Sequence, residues 1–252
     1  MRVISLNANG IRASLRKGFE NFIGEKQADI VCLQEVKAHE CDIPPLLADY
    51  HAYWHCAERK GYSSVGILTK QEPDRVIRGM GVKVYDSEGR VIRADFGGLS
   101  VVSVYVPSGS SGEARLAYKM RFLKAFRRYV ATLIAEGQEV IICGDINIAH
   151  KKIDLTNWKS NQKTSGFLPK ERTWLDKFLK LGLVDSYRQH IGPDTPSYSW
   201  WSLRTGARAR NVGWRLDYHL TSPGLAERVS FAEIPMEPNL SDHAPVIVDY
   251  DF

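Results

Sequence analysis

The chain has 252 residues, 44% of them hydrophobic and 25% charged, a balance that supports a buried core and excludes an intrinsically disordered chain. A formal net charge of +5 is compatible with an anionic partner without requiring one. No apolar run approaches ~18 residues and the opening Met-Arg-Val-Ile-Ser-Leu lacks the form of a signal peptide, so no membrane contact and a cytoplasmic setting are expected. Cys32, Cys41, Cys56 and Cys143 include no Cys-x-x-Cys pair, which fits a reducing compartment. With no linker or low-complexity tract, residues 1–252 are expected to form one domain and to act as a monomer.

In chain order, short apolar runs bounded by turn residues predict strands at Val3 to Leu6, Ile30 to Leu33, Val65 to Leu68, Val101 to Val106, Val140 to Cys143 and Val246 to Val248. Alternating segments at Tyr50 to Cys56 and Val91 to Phe96 predict strands with one wetter face. A long helix is expected over Glu113 to Glu136, with Leu116, Met120, Leu123, Val130 and Leu133 along one stripe, a capping box from Ser110 and a stop at Gly137. A second helix begins near Pro169, carries Trp174, Phe178 and Leu181, and stops at Gly182. Many strands, few helices and no regular alternation predict two packed sheets with helices outside.

Acidic and amide residues recur where these runs end. Asn7 and Asn9 follow the first strand two residues apart, although Asn9-Gly10 alone reads as a plain turn. Glu35 ends the second run, as a ligand or a solvated rim residue. Asp145 and Asn147 end the run after Val140, with Gly144 permitting close approach of a ligand to the backbone. Asp217 alternates with Arg215, so a structural ion pair between them competes with a functional reading. Asp242 and His243 precede the last run, where a turn with an incidental histidine is the plain alternative.

Taken jointly the pattern is stronger, because strands packed together gather these ends on one rim. Two carboxylates ~4 Å apart repel by about 4 kcal/mol at an effective dielectric near 20, so Glu35, Asp145, Asp217 and Asp242 together call for a cation. Oxygen donors without a cysteine pair or a His-Glu-x-x-His motif favour Mg²⁺, with Mn²⁺ able to substitute, over zinc. Such an ion keeps open positions for phosphate oxygens and points to phosphate esters.

Asn-Ala-Asn-Gly at 7–10, Leu-Gln-Glu at 33–35, Tyr-Val-Pro at 105–107, Gly-Asp-Ile-Asn-Ile-Ala-His at 144–150, Trp-Arg-Leu-Asp-Tyr at 214–218 and Ser-Asp-His-Ala-Pro at 241–245 resemble the exonuclease III abasic-endonuclease family over nearly the whole chain. The resemblance implies an α/β four-layer sandwich, two twisted, mainly antiparallel sheets face to face with helices outside. It implies a metal-dependent phosphodiesterase acting on double-stranded DNA at abasic sites or blocked 3′ ends. Cleavage 5′ to the abasic sugar would be accompanied by 3′ phosphodiesterase, 3′ phosphatase or 3′–5′ exonuclease action. Glu35 is then the principal metal ligand with Asp242 beside it, and the metal set extends to Asn7, Asn9, Asp145, Asn147 and His243. Asp145 and Asn147 would position and activate the attacking water, or Asp145 would protonate the leaving oxygen. His243, oriented by Asp217, and Tyr105 would contact the phosphate.

By the same resemblance Trp200, Trp214 and Leu216 line a pocket for a flipped, base-less sugar, and Asn161 contacts the scissile strand. Trp201 is expected in the core. Small residues at Ser165 and Gly166 favour internal cleavage over a phosphatase-only enzyme, while Ser108, Ile146 and Thr164 depart from the family pattern. Two rivals share the scaffold: a non-catalytic RNA-binding regulator, which has no need of the complete acidic set, and a phosphatase of small esters.

Overall fold

A computed structural model describes residues 1–204 and 206–251. The strands are β1 (Arg2–Asn7), β2 (Ile30–Gln34), β3 (His51–His55), β4 (Val65–Thr69), β5 (Arg75–Arg78), β6 (Val91–Phe96), β7 (Leu99–Tyr105), β8 (Glu139–Asp145), β9 (Val184–Asp185), β10 (Asp217–Thr221), β11 (Val229–Glu233) and β12 (Val246–Tyr250). The helices are α1 (Ile11–Arg16), α2 (Phe19–Lys26), α3 (Lys83–Asp86), α4 (Glu113–Ala135), α5 (Pro169–Leu179), α6 (Ser186–Ile191) and α7 (Pro223–Ala226).

One sheet runs β11-β12-β1-β2-β4-β3 and the other β5-β6-β7-β8-β10-β9. Each contains one parallel pair at its centre, β1 with β2 and β7 with β8, and every other pairing is antiparallel. Alternate residues of the central strands point to opposite apolar layers, which is why these strands read as unbroken apolar runs. In β8, Ile141 and Cys143 meet Val3, Cys32 and Val246 between the sheets, whereas Val140 and Ile142 pack under α4 and α5. In β1, Ile4 and Leu6 pack under α1 and α2. These three apolar layers separate four layers of backbone, the α/β sandwich expected.

The long helix is where expected, and Gly137 follows it at φ +81, a conformation glycine adopts without a Cβ penalty. Its details differ. Gly112, not Ser110, is the N-cap, and no side chain caps the helix, because Ser110 is held in a turn with Ser108. Its buried face is Lys119, Phe122, Leu123, Phe126, Val130 and Leu133, with Leu116 and Met120 only half-buried. The sheet selects the stripe that carries Phe122 and Phe126, which stack at 6.1 Å between ring centroids. In α5, Pro169 opens the helix and Trp174 and Phe178 are buried, but the helix ends at Leu179 and Leu181 lies in the following turn. Trp201 is core, as expected.

Gly144 serves packing, not ligand approach. Its φ is +147, and a Cβ there would lie 2.0 Å from the Val104 carbonyl oxygen on β7. Any other residue would push apart the parallel pair that ends at the rim.

Arg215 does not pair with Asp217. Its Nε donates to Asp154 Oδ1 at 2.8 Å and its Nη2 lies 2.8 Å from Asp185 Oδ2, while Arg188 reaches the same Asp154 oxygen at 2.7 Å. Burial pushes the Asp154 carboxyl up, but Arg215 and Arg188 outweigh it and hold it below the usual range. The stability this contributes is present above ~4 and lost as pH falls through the depressed value. Asp154→Ala removes one of the two carboxylates on the buried Arg215 and leaves its Nε unmatched, and is expected to cost about 2–3 kcal/mol, read by urea denaturation. It should also flatten the acid limb of the stability curve; a loss under about 1 kcal/mol would contradict the assignment.

Candidate active site

The two parallel pairs end at one edge of the sandwich. Strands β12 and β10 start at that edge because each runs antiparallel to a member of a pair. The last residues of β1, β7 and β8 are Asn7, Tyr105 and Asp145, Glu35 follows β2, Asp217 opens β10, and Asp242 and His243 precede β12. Asp145 stands in register opposite both Tyr105 and Asp217. Six stretches far apart in sequence therefore share one rim, in keeping with the tendency of ligand sites to lie at the carboxyl ends of parallel strands.

Asn7 bridges the sheets, its amide nitrogen donating to Glu35 Oε1 at 2.9 Å and to Asp145 Oδ2 at 3.0 Å. Asn147 fixes Asp145 from the other side, by its backbone N–H to Oδ1 at 2.8 Å and its amide to Oδ2 at 3.0 Å. His243 Nδ1 lies 2.8 Å from Asp217 Oδ2, and its Nε2 lies 3.9 Å from Asp145 Oδ2. Asp242 accepts from Asn9 at 2.8 Å and from the Trp200 indole at 3.0 Å. The backbone is strained here: Asn9, Glu35 and Asn147 sit at φ +43, +47 and +55, a region glutamate rarely visits.

These groups face a cavity of about 300 Å³. One wall carries Glu35, Tyr105, Asp145, Asn147, Asp242 and His243; the other carries Thr164, Ser165, Gly166, Trp200, Trp214 and Leu216. The indoles of Trp200 and Trp214 meet edge to face, 6.4 Å between centroids. At Gly166, φ is +98 and a Cβ would lie 3.3 Å from the Trp214 ring, so the wall is closed there.

Charge is distributed unevenly. Burial raises the Asp145 carboxyl to about 8, against the opposing pull of His243 and with the help of Asp217 and Glu35. Burial disfavours the His243 imidazolium, but Asp217, Asp145 and Asp242 outweigh it and bring it to about 10. For Glu35 burial is outweighed by Lys37, whose Nζ is 2.7 Å away, and by Asn7, so its carboxyl is lowered. Burial and the neighbouring Glu35 and Asp145 push the Tyr105 phenol well above its ordinary value.

One ligand atom each of Glu35, Asp145 and His243 lie within 4.8 Å of one another, the one group among the described residues with the spacing of a metal site. Buried carboxylates that raise one another's proton affinity are a fitting environment for a hard cation. In the arrangement present, Asn7, Asn9 and Asn147 turn amide nitrogens towards carboxylates, and the carboxylates of the close group are those of Glu35 and Asp145.

Residues 4–243 match the Endonuclease/Exonuclease/phosphatase family. The chain is 45% identical over 248 residues to an exodeoxyribonuclease of Bacillus subtilis (strain 168), covering 98% of each. It is 39% identical to the DNA repair nuclease APEX1 of Danio rerio, over 98% of this chain and 81% of that one. Its fold matches the structure of an AP endonuclease from Archaeoglobus fulgidus with TM-score 0.90 at 29% identity, covering both chains completely. The chain belongs to the Endonuclease/Exonuclease/phosphatase family.

Asn161, singled out in the sequence, and two basic residues lie elsewhere. Asn161 does not line the cavity; its side chain donates to the Asn157 carbonyl at 2.8 Å within the turn that leads to Thr164. Arg208 stacks on Trp201 and donates to the carbonyls of Met236 and Ser241, so it holds the loop before Asp242. Lys151 pairs with Asp176 at 2.7 Å.

Three site residues escape sequence reasoning. Ser199 donates to Asp217 Oδ2 at 2.6 Å and accepts from the N–H groups of Leu216 and Asp217. Arg90 lies over the Tyr105 ring, 4.8 Å from its centroid, and donates to the Tyr105 carbonyl. Lys37 meets Glu35 through a strained turn, and its position two residues along was the only available signal.

The Asp217–His243 contact has a pH signature in this family member. The stability of the charged pair is fully present below the ordinary histidine value, ~6.5, and lost as pH rises through about 10. In metal-free Asp217→Asn the histidine NMR titration midpoint is expected to fall towards the ordinary range; an unmoved midpoint would show that Asp217 does not set the charge.

Proposed function

We propose that the chain is a DNA repair nuclease that hydrolyses the phosphodiester 5′ to abasic sites in double-stranded DNA and also trims blocked 3′ ends. The observation that carries this reading is the shared cavity: phosphate-type chemistry on one wall, and on the other a closed aromatic wall of Trp200, Trp214, Leu216 and Gly166. A deoxyribose without its base fits such a hollow, whereas a base attached to it meets the indoles, so selection is by shape. The names borne by the relatives, an exodeoxyribonuclease, a DNA repair nuclease and an AP endonuclease, agree with this reading.

Glu35 and Asp145 would hold a divalent cation, Mg²⁺ by the hardness of the donors, with Asp242 beside them. When bound, the cation supplies charge stabilisation to the phosphate oxygens as negative charge develops. The chain's own residues do the rest. Asp145, fixed by N–H donors from Asn7 and Asn147, orients a water for in-line attack on phosphorus and takes its proton. His243, kept as imidazolium by Asp217, donates to a non-bridging oxygen. Tyr105, kept protonated, donates to the same phosphate. The P–O3′ bond breaks and the leaving O3′ takes a proton from solvent water, leaving a 3′ hydroxyl and a 5′ sugar phosphate.

Incubating the protein with a duplex containing one tetrahydrofuran abasic analogue, with Mg²⁺ or with EDTA, tests the assignment. Metal-dependent cutting 5′ to the analogue is expected. A folded protein that binds RNA or hydrolyses small phosphate esters but leaves the duplex intact would overturn it. Asp145→Ala is expected to lower the cleavage rate by at least about 100-fold with DNA affinity within about threefold, measured by single-turnover kinetics and fluorescence anisotropy. Parallel loss of affinity would remove Asp145 from the water-activating role. In Glu35→Ala, raised metal concentration should recover part of the rate, and a rate insensitive to metal would remove Glu35 from the site.

A further inference from the structure

Behind the cavity, on the helix side, a charged pair is buried that none of the chemistry above uses. Lys119 projects from α4 and Glu171 from the first turn of α5, both with 0% of their surface exposed. Lys119 Nζ lies 2.5 Å from Glu171 Oε1 and donates to the Asn147 carbonyl at 2.8 Å. Glu171 collects the other side of the site: its Oε2 accepts from the Gly166 N–H at 2.6 Å and the Leu168 N–H at 3.0 Å, and its Oε1 also accepts from the Ser165 hydroxyl at 3.1 Å. One buried ion pair thus touches both the backbone of Asn147, which fixes Asp145, and the backbone of Gly166, which closes the sugar wall. The two loops are otherwise joined by the Ala149 N–H to the Gly166 carbonyl, at 2.8 Å.

We propose that the Lys119–Glu171 pair positions the catalytic loop at Asn147 relative to the pocket wall at Gly166, so that a sugar seated against the wall presents its phosphate in line with Asp145. This rests on the functional reading above. Neither residue touches the substrate; both act through the loops they hold. Helix-to-helix adhesion alone is a poor reason for the pair, since two buried charges are rarely more stabilising than apolar residues of similar volume. The geometry explains the charges better. Four donors converge on the two Glu171 oxygens, a demand that only a carboxylate meets, and the Asn147 carbonyl, at a strained φ of +55, takes its donor from the buried Lys119.

The distinction between positioning and adhesion can be measured with three variants, Lys119→Met, Glu171→Gln and the double variant Lys119→Met/Glu171→Leu. Each single change leaves a buried charge or several N–H groups unmatched and is expected to lower both stability and kcat on the tetrahydrofuran duplex. Displacement of the water-orienting loop by about 1 Å corresponds to roughly 100-fold in kcat, with KM within about threefold. The double variant removes both charges but leaves the Gly166 and Leu168 N–H groups unmatched, so it is expected to recover part of the melting temperature lost in Lys119→Met, but not kcat. Amide hydrogen exchange at Gly166 should quicken in all three variants and remain fast in the double variant.

Recovery of kcat together with stability in the double variant would reduce the pair to adhesion and overturn the proposal. So would an unchanged kcat in Lys119→Met. If the wild-type protein fails to cut the duplex, the functional reading fails by itself, and exchange decides the coupling: Gly166 protection unaffected by Lys119→Met would overturn it.

Discussion

Glu35, Asp145, Asp217 and Asp242 surround one small rim, and carboxylates so close and so poorly hydrated raise the energy of one another's charge. Each is relieved by a different partner. Lys37 and Asn7 serve Glu35, Ser199 and His243 serve Asp217, and Asn9 with the Trp200 indole serves Asp242. Asp145 has neutral N–H donors and an imidazole no closer than 3.9 Å, and it is the one whose carboxyl is raised to about 8. The least compensated carboxylate is therefore the one with most to gain from a cation or a proton, and it stands at the centre of the group.

Such crowding persists only on a scaffold that cannot relax. The parallel pairs β1/β2 and β7/β8 end side by side in facing sheets, and Asn7 joins the two ends directly. Strand ends embedded in a sandwich with three apolar layers hold side chains more tightly than free loops do. Positive φ at Asn9, Glu35 and Asn147 belongs to the same constraint: the chain turns sharply after each strand to keep the side chain on the rim, and ladder hydrogen bonds on either side hold the strained residue in place.

How much of this was legible in the sequence follows from burial. Central strands are apolar on both faces, so β1, β2, β4, β7, β8 and β12 stood out as runs. The edge strands β5 and β11, half exposed, carry no such signal, and the two residues of β9 are too few for a period. On the long helix the spacing gave a stripe, but which stripe the sheet buries depends on Phe122 and Phe126 filling the layer below, a tertiary fact. Glu35 and Asp145 were found because each follows an apolar run, Asp242 because it precedes one, and Asp217 by its alternation with Arg215. Ser199, Arg90, Lys119 and Glu171 were not, because charged and hydroxyl residues are ordinarily solvated, and only the assembled fold reveals that these are enclosed; nor was Lys37, which stays partly exposed. Arg215 shows the converse: its alternation with Asp217 suggested a pair, yet Asp154 and Asp185 claim it and leave Asp217 to His243.

Shape and charge cannot be separated at this cavity, because Trp200 belongs to both. Its indole N–H holds the Asp242 carboxylate, its ring meets Trp214 edge to face, and its backbone bridges to both Trp214 and His243. Widening the hollow at Trp200 would also loosen an acidic side chain on the phosphate side. Conversely, a shift of Asp242 towards a cation would pull on the wall. On the function proposed, a sugar that fills the hollow would bear on a wall tied to the acidic groups, and one that is too large would meet the wall before its phosphate reaches them. Discrimination of this kind needs no contact with a base. It requires only that the wall be stiff, and Gly166, with Trp214 and the Asn147 carbonyl both within 3.4 Å of where its Cβ would lie, is packed too tightly for the wall to yield there.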